Sequence, residues 1–551
     1  MFKPTNQNHQ ANIFHTESFL FGRSLKIYSD PDHWHNQFRT CVVENINEDV
    51  FSVLFCDGIG APNASIRVLV GMMDLKDAFG WSDAQLYEQV LFNPLVRSAL
   101  GLLNLDDEVP VESTYYSFRK RLVEWEKAGN GDLMEKAFFD LTKIQLKLFD
   151  VDGSKVRMDS FLMSSNIAWN NRYELIHTTL KSAWKENNFA IVKHLIDSEI
   201  KYLYELSKEN CEKISYRSNK EDLETRISQM GVIIHKIVNI PELPSTPSID
   251  VLRQVFDDQY EVIDGVVTPL PKQKIKATSV QSPHDPDCDY REKGEQKVKG
   301  YSINVTETCH PENNVNLITS VIVKPASAAD CDYLIPAIEA TEKLTNQAVK
   351  SVNTDGAYHS PENQTFCQEK DCDLIIGKMQ GNHARYDLTM NENGELIVTD
   401  LLTSEIIPSQ KTKPKTPDKP PTWRIIDHNG KPRYFDQKEI DNCYLRKKLK
   451  TRTQEELNLR NNVEATIFQL GYHYPHKKSR YRGLVKHGIW AFVRCIWINF
   501  VRISKYLKSL ATKGGKMVAE IIKPTIFIFL LIKFVILNVF LPNLDRKLAV
   551  Q

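Results

Sequence analysis

Apolar residues recur at helical spacing along much of the first quarter of the chain. The stretch ASIRVLVGMMDLKDAFG has this periodicity and ends in Gly80, a residue suited to a helix C-cap. Ser82 then stands where an N-cap is expected for SDAQLYEQVLFN. Next, ESTYYSFRKRLVEW places Ser113 and Thr114 before an aromatic and basic helix. The pattern predicts a short helical domain, whose last helix suits either DNA contact or an ordinary charged outer face.

Short apolar runs separated by turn residues follow this helical region. KVRMDSF, with Asp159, reads as a strand, and a charged, helix-prone segment then ends in the Pro-rich NIPELPSTPS. KGYSINVTET and NLITSVIVKP read as neighbouring strands, and ASAADCDYLIPAIEATEKL as a helix with Pro336 in its second half. AVKSVNTD is a strand candidate ending at Asp355, and SPENQTFCQEK is a helix with Ser360 as N-cap. Strands alternating with helices predict an α/β sheet.

Composition changes the picture mainly through the distribution of charge. The chain is 42% hydrophobic and 25% charged, values typical of a folded soluble protein. Lys+Arg and Asp+Glu both total 70, so the net charge of the whole chain does not indicate a nucleic-acid partner. The segment from Gly471 to Lys516, however, contains eleven Lys or Arg and no Asp or Glu. This stretch is therefore a candidate phosphate-binding surface.

Two features of the sequence concern the cellular compartment. The ten cysteines are scattered, and Met1 to Ser18 has no apolar signal-peptide region, so we expect a cytoplasmic protein with free thiols. The apolar run 525–541 is near the lower length limit for a membrane span and has Lys533 in its middle. It reads either as a helix buried by the protein or a partner, or as a membrane segment, and we expect the former.

Three acidic residues on separate elements are candidates for metal chemistry. Asp159 lies on one strand, Asp355 follows another, and Glu464 lies in the helical stretch LRKKLKTRTQEELNLRNNVEATIFQLG. Two Mg²⁺ ions about 4 Å apart require carboxylate oxygens from several directions, and they then activate a nucleophile for attack on a phosphodiester. Each residue also has a local explanation: a strand-end turn, an Asx-turn before glycine and a solvent-facing helix position. Spacing alone leaves these alternatives open.

Several stretches in a fixed order resemble the DDE transposases of bacterial insertion sequences, in the branch with a helical N-terminal domain. MDSFLMSSN resembles the first-aspartate strand of that family, and NTDGAYHS the second-aspartate turn. SPHDPDCDYREKGEQKVKGY resembles the segment that leads into the second strand. RNNVEATIFQLG followed by RYRGLVKHGIWAF resembles the glutamate helix and the turn after it. The resemblance implies an α/β catalytic core with a ribonuclease H-like mixed sheet flanked by helices.

The resemblance also implies a site and partners. Asp159, Asp355 and Glu464 would be both the catalytic residues and the ligands of two Mg²⁺ ions, for which Mn²⁺ can substitute. The partners would be double-stranded DNA, as terminal inverted repeats and target, with a homo-oligomer forming in the DNA complex. The residues expected to bind DNA are Arg460, Lys477, Lys478, Arg480, Arg482, Lys486, Arg119, Lys120 and Arg121. Tyr481 either stacks on an unpaired base or packs inside the protein.

One departure from the family pattern keeps other functions open. The family often has lysine seven residues after the glutamate, and Gly471 holds that position here. The phosphate contact of that lysine would then pass to Lys477, Lys478 or nearby arginines. The alternatives are a non-cleaving DNA-binding protein derived from a transposase and a ribonuclease H-like nuclease without joining activity.

Together these observations predict a chain of four regions. They are a polar, loop-like segment over 1–45, a helical N-terminal DNA-binding domain over 46–150, a catalytic domain over 151–505 with a helical insertion at 170–240 and a polar β-containing excursion at 386–445, and a basic then apolar tail over 506–551.

Overall fold

The computed structural model describes residues 1–5, 12–56, 58, 60–377, 385–391, 394–412 and 421–512. The apolar run predicted at 525–541 lies outside the described residues. The N-terminal part is helical, as the periodicity predicts. Its helices are α1 (Gly22–Tyr28), α2 (Trp34–Cys41), α3 (Ile66–Phe79), α4 (Asp83–Phe92), α5 (Pro94–Ala99), α6 (Glu112–Lys127) and α7 (Leu133–Leu148).

Local capping explains where the N-terminal helices begin and end. Gly80 ends α3 in the left-handed conformation with φ of 67°, and Ser82 begins α4 in a capping box with Gln85. Ser113 and Thr114 lie inside the first turn of α6 rather than before it, since this helix begins at Glu112. The predicted caps of α3 and α4 are therefore confirmed, and the predicted start of α6 is corrected by about two residues.

The first 45 residues, predicted to be polar and loop-like, contain α1 and α2. Phe38 of α2 is fully buried and lies edge-on to Phe500 and tilted against Trp497, near the end of the chain. Trp34, Phe38 and Cys41 are the apolar residues of α2, so this short segment reads as polar when the sequence is taken by itself. Tertiary packing against distant aromatic residues stabilises it instead.

The rest of the described chain contains the strands and the remaining helices. The strands are β1 (Lys155–Ser164), β2 (Tyr260–Ile263), β3 (Val266–Pro269), β4 (Asp289–Lys293), β5 (Gln296–Thr308), β6 (Ile318–Pro325), β7 (Ser351–Thr354), β8 (Asp373–Ile376), β9 (Tyr386–Met390), β10 (Leu396–Asp400), β11 (Ile406–Ile407), β12 (Gln410–Thr412), β13 (Thr422–Ile426) and β14 (Pro432–Phe435). The helices are α8 (Arg172–Ile191), α9 (Asp197–Lys208), α10 (Cys211–Arg217), α11 (Lys220–Val238), α12 (Pro247–Gln259), α13 (Leu334–Thr345), α14 (Pro361–Glu369), α15 (Gln437–Thr451), α16 (Gln454–Asn458), α17 (Asn461–Gly471) and α18 (Leu484–Thr512).

The central sheet is mixed, with the order β6-β5-β1-β7-β8. β5 runs antiparallel to both β1 and β6, whereas β1, β7 and β8 are parallel. β4 pairs with the first residues of β5, ahead of its pairing with β6. Parallel pairs need crossover connections, and α13 and α14 supply them between β6, β7 and β8. The predicted α/β core flanked by helices is confirmed.

The crossover helices begin at residues that suit a helix start. Ser360 caps α14 by accepting a hydrogen bond from the Asn363 N–H, and Pro361 occupies the first turn. Pro336, predicted in the second half of its helix, lies in the first turn of α13, which begins at Leu334. Proline is tolerated there because the first N–H groups of a helix have no partner within the helix. The prediction for Pro336 was wrong in position.

The segment between β1 and β4 forms a helical unit with its own apolar core. Buried residues of α8 and α11 pack with Leu252 and Phe256 of α12, and with Tyr260 beyond it. The insertion was predicted over 170–240, and its packed core continues past the Pro-rich segment. Pro247 occupies the first turn of α12 and so begins a helix instead of closing the unit.

The described part of the excursion after β8 contains two small antiparallel sheets, β11-β10-β9 and β12-β13-β14. Their apolar faces share a core that also takes Ile440 and Cys443 from α15. The predicted β character of this region is therefore present.

The last described helix, α18, holds the N-terminal helices and the sheet together. It contacts β6, α3 and α7, and its buried residues join the same core as Phe161 of β1 and Ile303 of β5. Over Leu484–Leu510 the helix is long and apolar enough to cross a membrane, but 61% of its most apolar window is buried inside the protein. This burial is that of a core helix.

Candidate active site

The candidate aspartates occupy equivalent positions on adjacent parallel strands. The ladder between β1 and β7 aligns Lys155 with Ser351 and Arg157 with Asn353. Asp159 and Asp355 each follow this ladder by two residues, so they stand side by side where β7 ends. Neighbouring strands are about 4.8 Å apart. The fold thus brings together two carboxylates that are 196 residues apart in the chain, with the helical insertion outside the sheet.

Asp355 also serves as a local turn residue. Its Oδ1 accepts a hydrogen bond of 2.8 Å from the Ala357 N–H and so caps the short turn Gly356–Tyr358. The Asx-turn alternative is therefore correct for one oxygen of this carboxylate. It does not exclude a second role for the other oxygen.

Arg460 links Asp159 to Glu464. Its Nη2 lies 3.2 Å from Asp159 Oδ2, and its Nη1 lies 4.0 Å from Glu464 Oε1. Arg460 precedes α17, which packs against β1, and Glu464 projects from the first turn of that helix with its side chain 65% exposed. The Arg460 guanidinium therefore lies between the carboxylates of Asp159 and Glu464.

The charge state of Asp159 reflects these neighbours. Burial raises the pKa of Asp159 above its ordinary value, and the nearby Asp355 carboxylate raises it further. The hydrogen bond from the Ser160 N–H and the Arg460 guanidinium act in the opposite direction. The like-charge effect arises because the Asp355 carboxylate lies near that of Asp159.

A cavity of about 270 Å³ opens beside these residues. Asp159, Glu464 and Lys477 line it, together with residues that the sequence reasoning did not select, namely Asp330, Arg291 and Lys293. Asp330 is buried and accepts hydrogen bonds from the Ser160 hydroxyl (2.8 Å) and from Arg291 Nη2 (3.3 Å).

The sequence pointed to some, but not all, of these three additional cavity residues. Arg291 and Lys293 fall inside the family-like segment SPHDPDCDYREKGEQKVKGY, so that motif pointed to them. Asp330 has no such signal, because it reads as an ordinary acidic residue near a helix start.

A buried ionic network fixes the glutamate helix against the sheet. Glu307 of β5 is fully buried, and its two carboxylate oxygens lie 2.5 Å from Arg157 Nε and 2.5 Å from Arg502 Nη2. It also accepts a hydrogen bond from Thr466 of α17, and Arg157 donates to the Leu459 carbonyl just before that helix. Burial alone would raise the pKa of Glu307, but the two guanidinium groups hold it below its ordinary value. This network positions Glu464 relative to Asp159.

The donor set is compatible with a divalent cation. Carboxylate oxygens are the ligands that Mg²⁺ and Mn²⁺ prefer, and the guanidinium of Arg460 already places positive charge between Asp159 and Glu464. Within the described residues, no group of three or more His, Cys, Asp or Glu side chains is close enough together to hold a metal ion. The three candidates would converge on one ion only after Arg460 and the exposed Glu464 side chain move.

The basic residues of the segment 477–482 divide into exposed and engaged side chains. Lys477 is exposed and lines the cavity beside Asp159. Lys478 donates to the Ile167 carbonyl, Arg482 to the Asn166 carbonyl, and Arg480 to the carbonyls of Gly80 and Trp81 at the end of α3. These three side chains hold the segment in place as well as carrying charge.

The remaining predicted DNA contacts lie near α6. Arg119 forms an ion pair with Asp83 at 3.7 Å, and Lys120 pairs with Glu124 at 3.5 Å while staying 75% exposed. Arg121 donates to the Leu54 carbonyl. Lys486, at the start of α18, is exposed and borders the same cavity as Arg119 and Lys120. The fold thus joins two basic patches that are far apart in the sequence.

The strand order and the paired aspartates define the class of the protein. A mixed sheet of order β6-β5-β1-β7-β8, with β5 antiparallel and acidic residues at the junction of β1 and β7, is a ribonuclease H-like core.

Comparison with known proteins agrees with this class. Residues 24–121 match the family described as a transposase domain (DUF772), and residues 262–500 match the family described as a transposase DDE domain. A search of curated proteins gives no match. One solved structure, the cryo-EM structure of the piggyBac transposase synaptic complex with hairpin DNA, shares 9% identity, with 88% of this chain and 77% of that chain covered and a TM-score of 0.26. This TM-score is too low to support an argument.

The chain belongs to the DDE transposases of insertion sequences. The two matched regions together cover more than half of the 551 residues, and the second contains Asp355 and Glu464. Asp159 precedes that region, on the other side of the helical insertion. The protein is therefore a DNA transposase, an enzyme of the nuclease/transferase class, and DDE transposases in general use divalent metal ions.

Proposed function

We propose that this transposase cleaves the phosphodiester bond at the ends of its own element and joins the released 3′-hydroxyl to target DNA. Asp159, Asp355 and Glu464 would hold two Mg²⁺ ions, which Mn²⁺ can replace. The observation that carries the proposal is the pair of aspartates at equivalent positions on adjacent parallel strands, with Arg460 joining Asp159 to Glu464. When bound, the ions would lower the pKa of the attacking hydroxyl or water and stabilise the leaving oxygen.

The chain's own residues would bind and orient the DNA backbone around this acidic pair. Lys477, Arg291 and Lys293 border the cavity beside Asp159, so a phosphate group entering it would meet positive charge from two sides. Arg460 would transfer from Asp159 to a phosphate oxygen as the site fills, because a guanidinium binds either anion in a similar geometry. The helical region 46–150 would contact the terminal repeat, with the protein acting as a homo-oligomer.

Asp355→Asn tests the assignment of the acidic site. Asparagine keeps an oxygen that accepts the hydrogen bond from Ala357, so the turn survives while the charge is lost. We expect DNA binding to persist and Mg²⁺-dependent cleavage of a supercoiled donor plasmid carrying the element to disappear. Asp371→Asn is the matched control, since it removes the same charge from a 95% exposed side chain in a left-handed turn that asparagine tolerates. Cleavage by Asp355→Asn at the wild-type rate would remove the assignment.

A non-cleaving DNA-binding protein is the second candidate. Arg460 occupies the space between Asp159 and Glu464, and the family lysine is replaced by Gly471. Such a protein would shift the mobility of element DNA without nicking it in Mg²⁺ or Mn²⁺. A nuclease without joining activity would nick the donor but give no products in which element and target are linked.

A further inference from the structure

A second cavity lies between α6 and the start of α18, apart from the acidic site. Its volume is about 440 Å³, within the range of small-molecule sites, and it shares no lining residue with the cavity around Asp159. The helical N-terminal part supplies one wall and the C-terminal helix supplies the other. The resemblance pointed to Arg119, Lys120 and Lys486 as DNA contacts, but not to a cavity between them.

Aromatic side chains line this cavity, and hydrogen bonds and cation–π contacts fix their positions. The Tyr481 hydroxyl donates to Asp77, with both carboxylate oxygens at 3.0 Å. Arg119 lies over the rings of both Tyr115 and Tyr481, with its guanidinium carbon 5.4 and 5.7 Å from the ring centroids. Trp490, which also lines the cavity, donates its indole N–H to Tyr474. The Tyr481 side chain therefore packs inside the protein, which was one of its two predicted roles, and it also lines the cavity.

One polar group in the lining lacks a partner. Tyr115 is fully buried, and its hydroxyl makes no hydrogen bond to any described residue. A buried hydroxyl without a partner is unfavourable, and such groups in folded proteins generally bind water or a ligand. Tyr115 lines the cavity, and its hydroxyl is a donor that has no partner among the described residues.

The lining carries more basic than acidic side chains. Lys120, Lys127 and Lys486 join Arg119 around the cavity, and Glu124 pairs with Lys120 at 3.5 Å. Asp77, the other acidic residue of the lining, already accepts from two tyrosines. A ligand with a planar body and a negative charge fits this combination, because the body would lie beside the aromatic residues and the Arg119 guanidinium that covers the two tyrosine rings, and the charge would face the lysines.

We propose that this cavity receives one unpaired nucleotide of the bound DNA, with its base beside Tyr115 and Tyr481 and its phosphate against Lys120 and Lys486. The proposal rests on the proposed function only in requiring that the protein binds DNA. A free nucleoside monophosphate has the same chemistry, and the experiment separates the two sources.

The experiment compares a blunt DNA duplex with the same duplex carrying one unpaired 5′ nucleotide, 2-aminopurine, whose fluorescence falls on stacking. Affinities come from competition anisotropy, and free dAMP is a third competitor. We expect the overhang duplex to bind about five- to a hundredfold more tightly than the blunt duplex, the range of one stacked base, with quenched 2-aminopurine.

Two variants test the cavity itself. Val123→Phe adds volume to the lining without changing charge and should abolish the overhang preference while leaving blunt-duplex affinity unchanged. Tyr115→Phe removes only the unpartnered hydroxyl and should reduce the preference, which provides a second reading if Val123→Phe folds poorly.

A pair of lysine variants separates local from general charge effects. Lys120→Ala should weaken overhang binding, whereas Lys220→Ala should not. Both residues are exposed lysines paired with a glutamate four residues on, at 3.5 and 3.7 Å, but Lys220 lies on the helical insertion.

The outcomes distinguish this proposal from the proposed function. Equal affinity for both duplexes, or an overhang preference that survives Val123→Phe together with Tyr115→Phe, would overturn the nucleotide site while leaving DNA binding intact. Competition by dAMP without an overhang preference would assign the cavity to a free nucleotide and reject the DNA source. No binding to either duplex would count against the proposed function as well.

Discussion

Glu307→Gln removes the buried carboxylate that joins β1, β5, α17 and α18. In the native protein its two oxygens lie 2.5 Å from Arg157 and Arg502, whose side chains are only 7% and 17% exposed. Glutamine keeps the shape but leaves two largely buried guanidinium groups without their counter-charge. Breaking a buried ion pair from one side costs about 3–5 kcal/mol, so we expect a loss of that order in the free energy of unfolding at pH 7.

The pH dependence of this loss has a defined sign. The folded-state pKa of Glu307 is lowered from the model-compound value of 4.5, so its contribution to stability is complete above that pH and declines as the pH falls through the lowered folded value. The difference between wild type and Glu307→Gln should therefore shrink below about pH 4.5.

Urea unfolding followed by tryptophan fluorescence at several pH values measures this difference. Glu312→Gln, at an exposed position between β5 and β6, is the control and should change little. Equal stability of Glu307→Gln and wild type at pH 7, or a difference that stays constant down to pH 3, would refute the reasoning. Since the network also positions α17, cleavage should fall by more than the loss of folded protein explains.

The remaining predictions concern DNA contact and strand packing. Lys477→Ala should weaken DNA binding uniformly across sequences and reduce the slope of log affinity against log salt by about one. Gly471→Lys in the same chain should restore both, because it returns a lysine to the position where the family has one, and a Cβ added there has nothing within 4 Å. Filter binding at several salt concentrations checks this, and an unchanged slope would exclude Lys477 as a phosphate contact. Gly300→Ala should destabilise the sheet by more than the usual 1–3 kcal/mol of overpacking, since its Cβ would lie 2.1 Å from the Met163 carbonyl oxygen. Gly471→Ala is the neutral control, and similar melting temperatures for the two alanine variants would contradict this account.

The sequence by itself determined those helix ends and strands that depend on residues close together in the chain. Gly80, Ser82 and Ser360 act where they were predicted, because capping depends on a side chain and a backbone group a few residues apart. The alternation of strands and helices was also readable, with Asp159 on one strand and Asp355 after another, but the parallel pairing of those two strands was not. Periodicity is enough for such assignments.

Only the tertiary structure decided which distant groups meet. Arg460 lies against Asp159 across 301 residues, Phe38 is buried against the last described helix, and Lys120 shares a cavity with Lys486. None of these contacts leaves a local pattern, because each depends on how separate elements pack and on the charges that burial forces to pair. Asp330 entered the acidic site in the same way, through the fold alone.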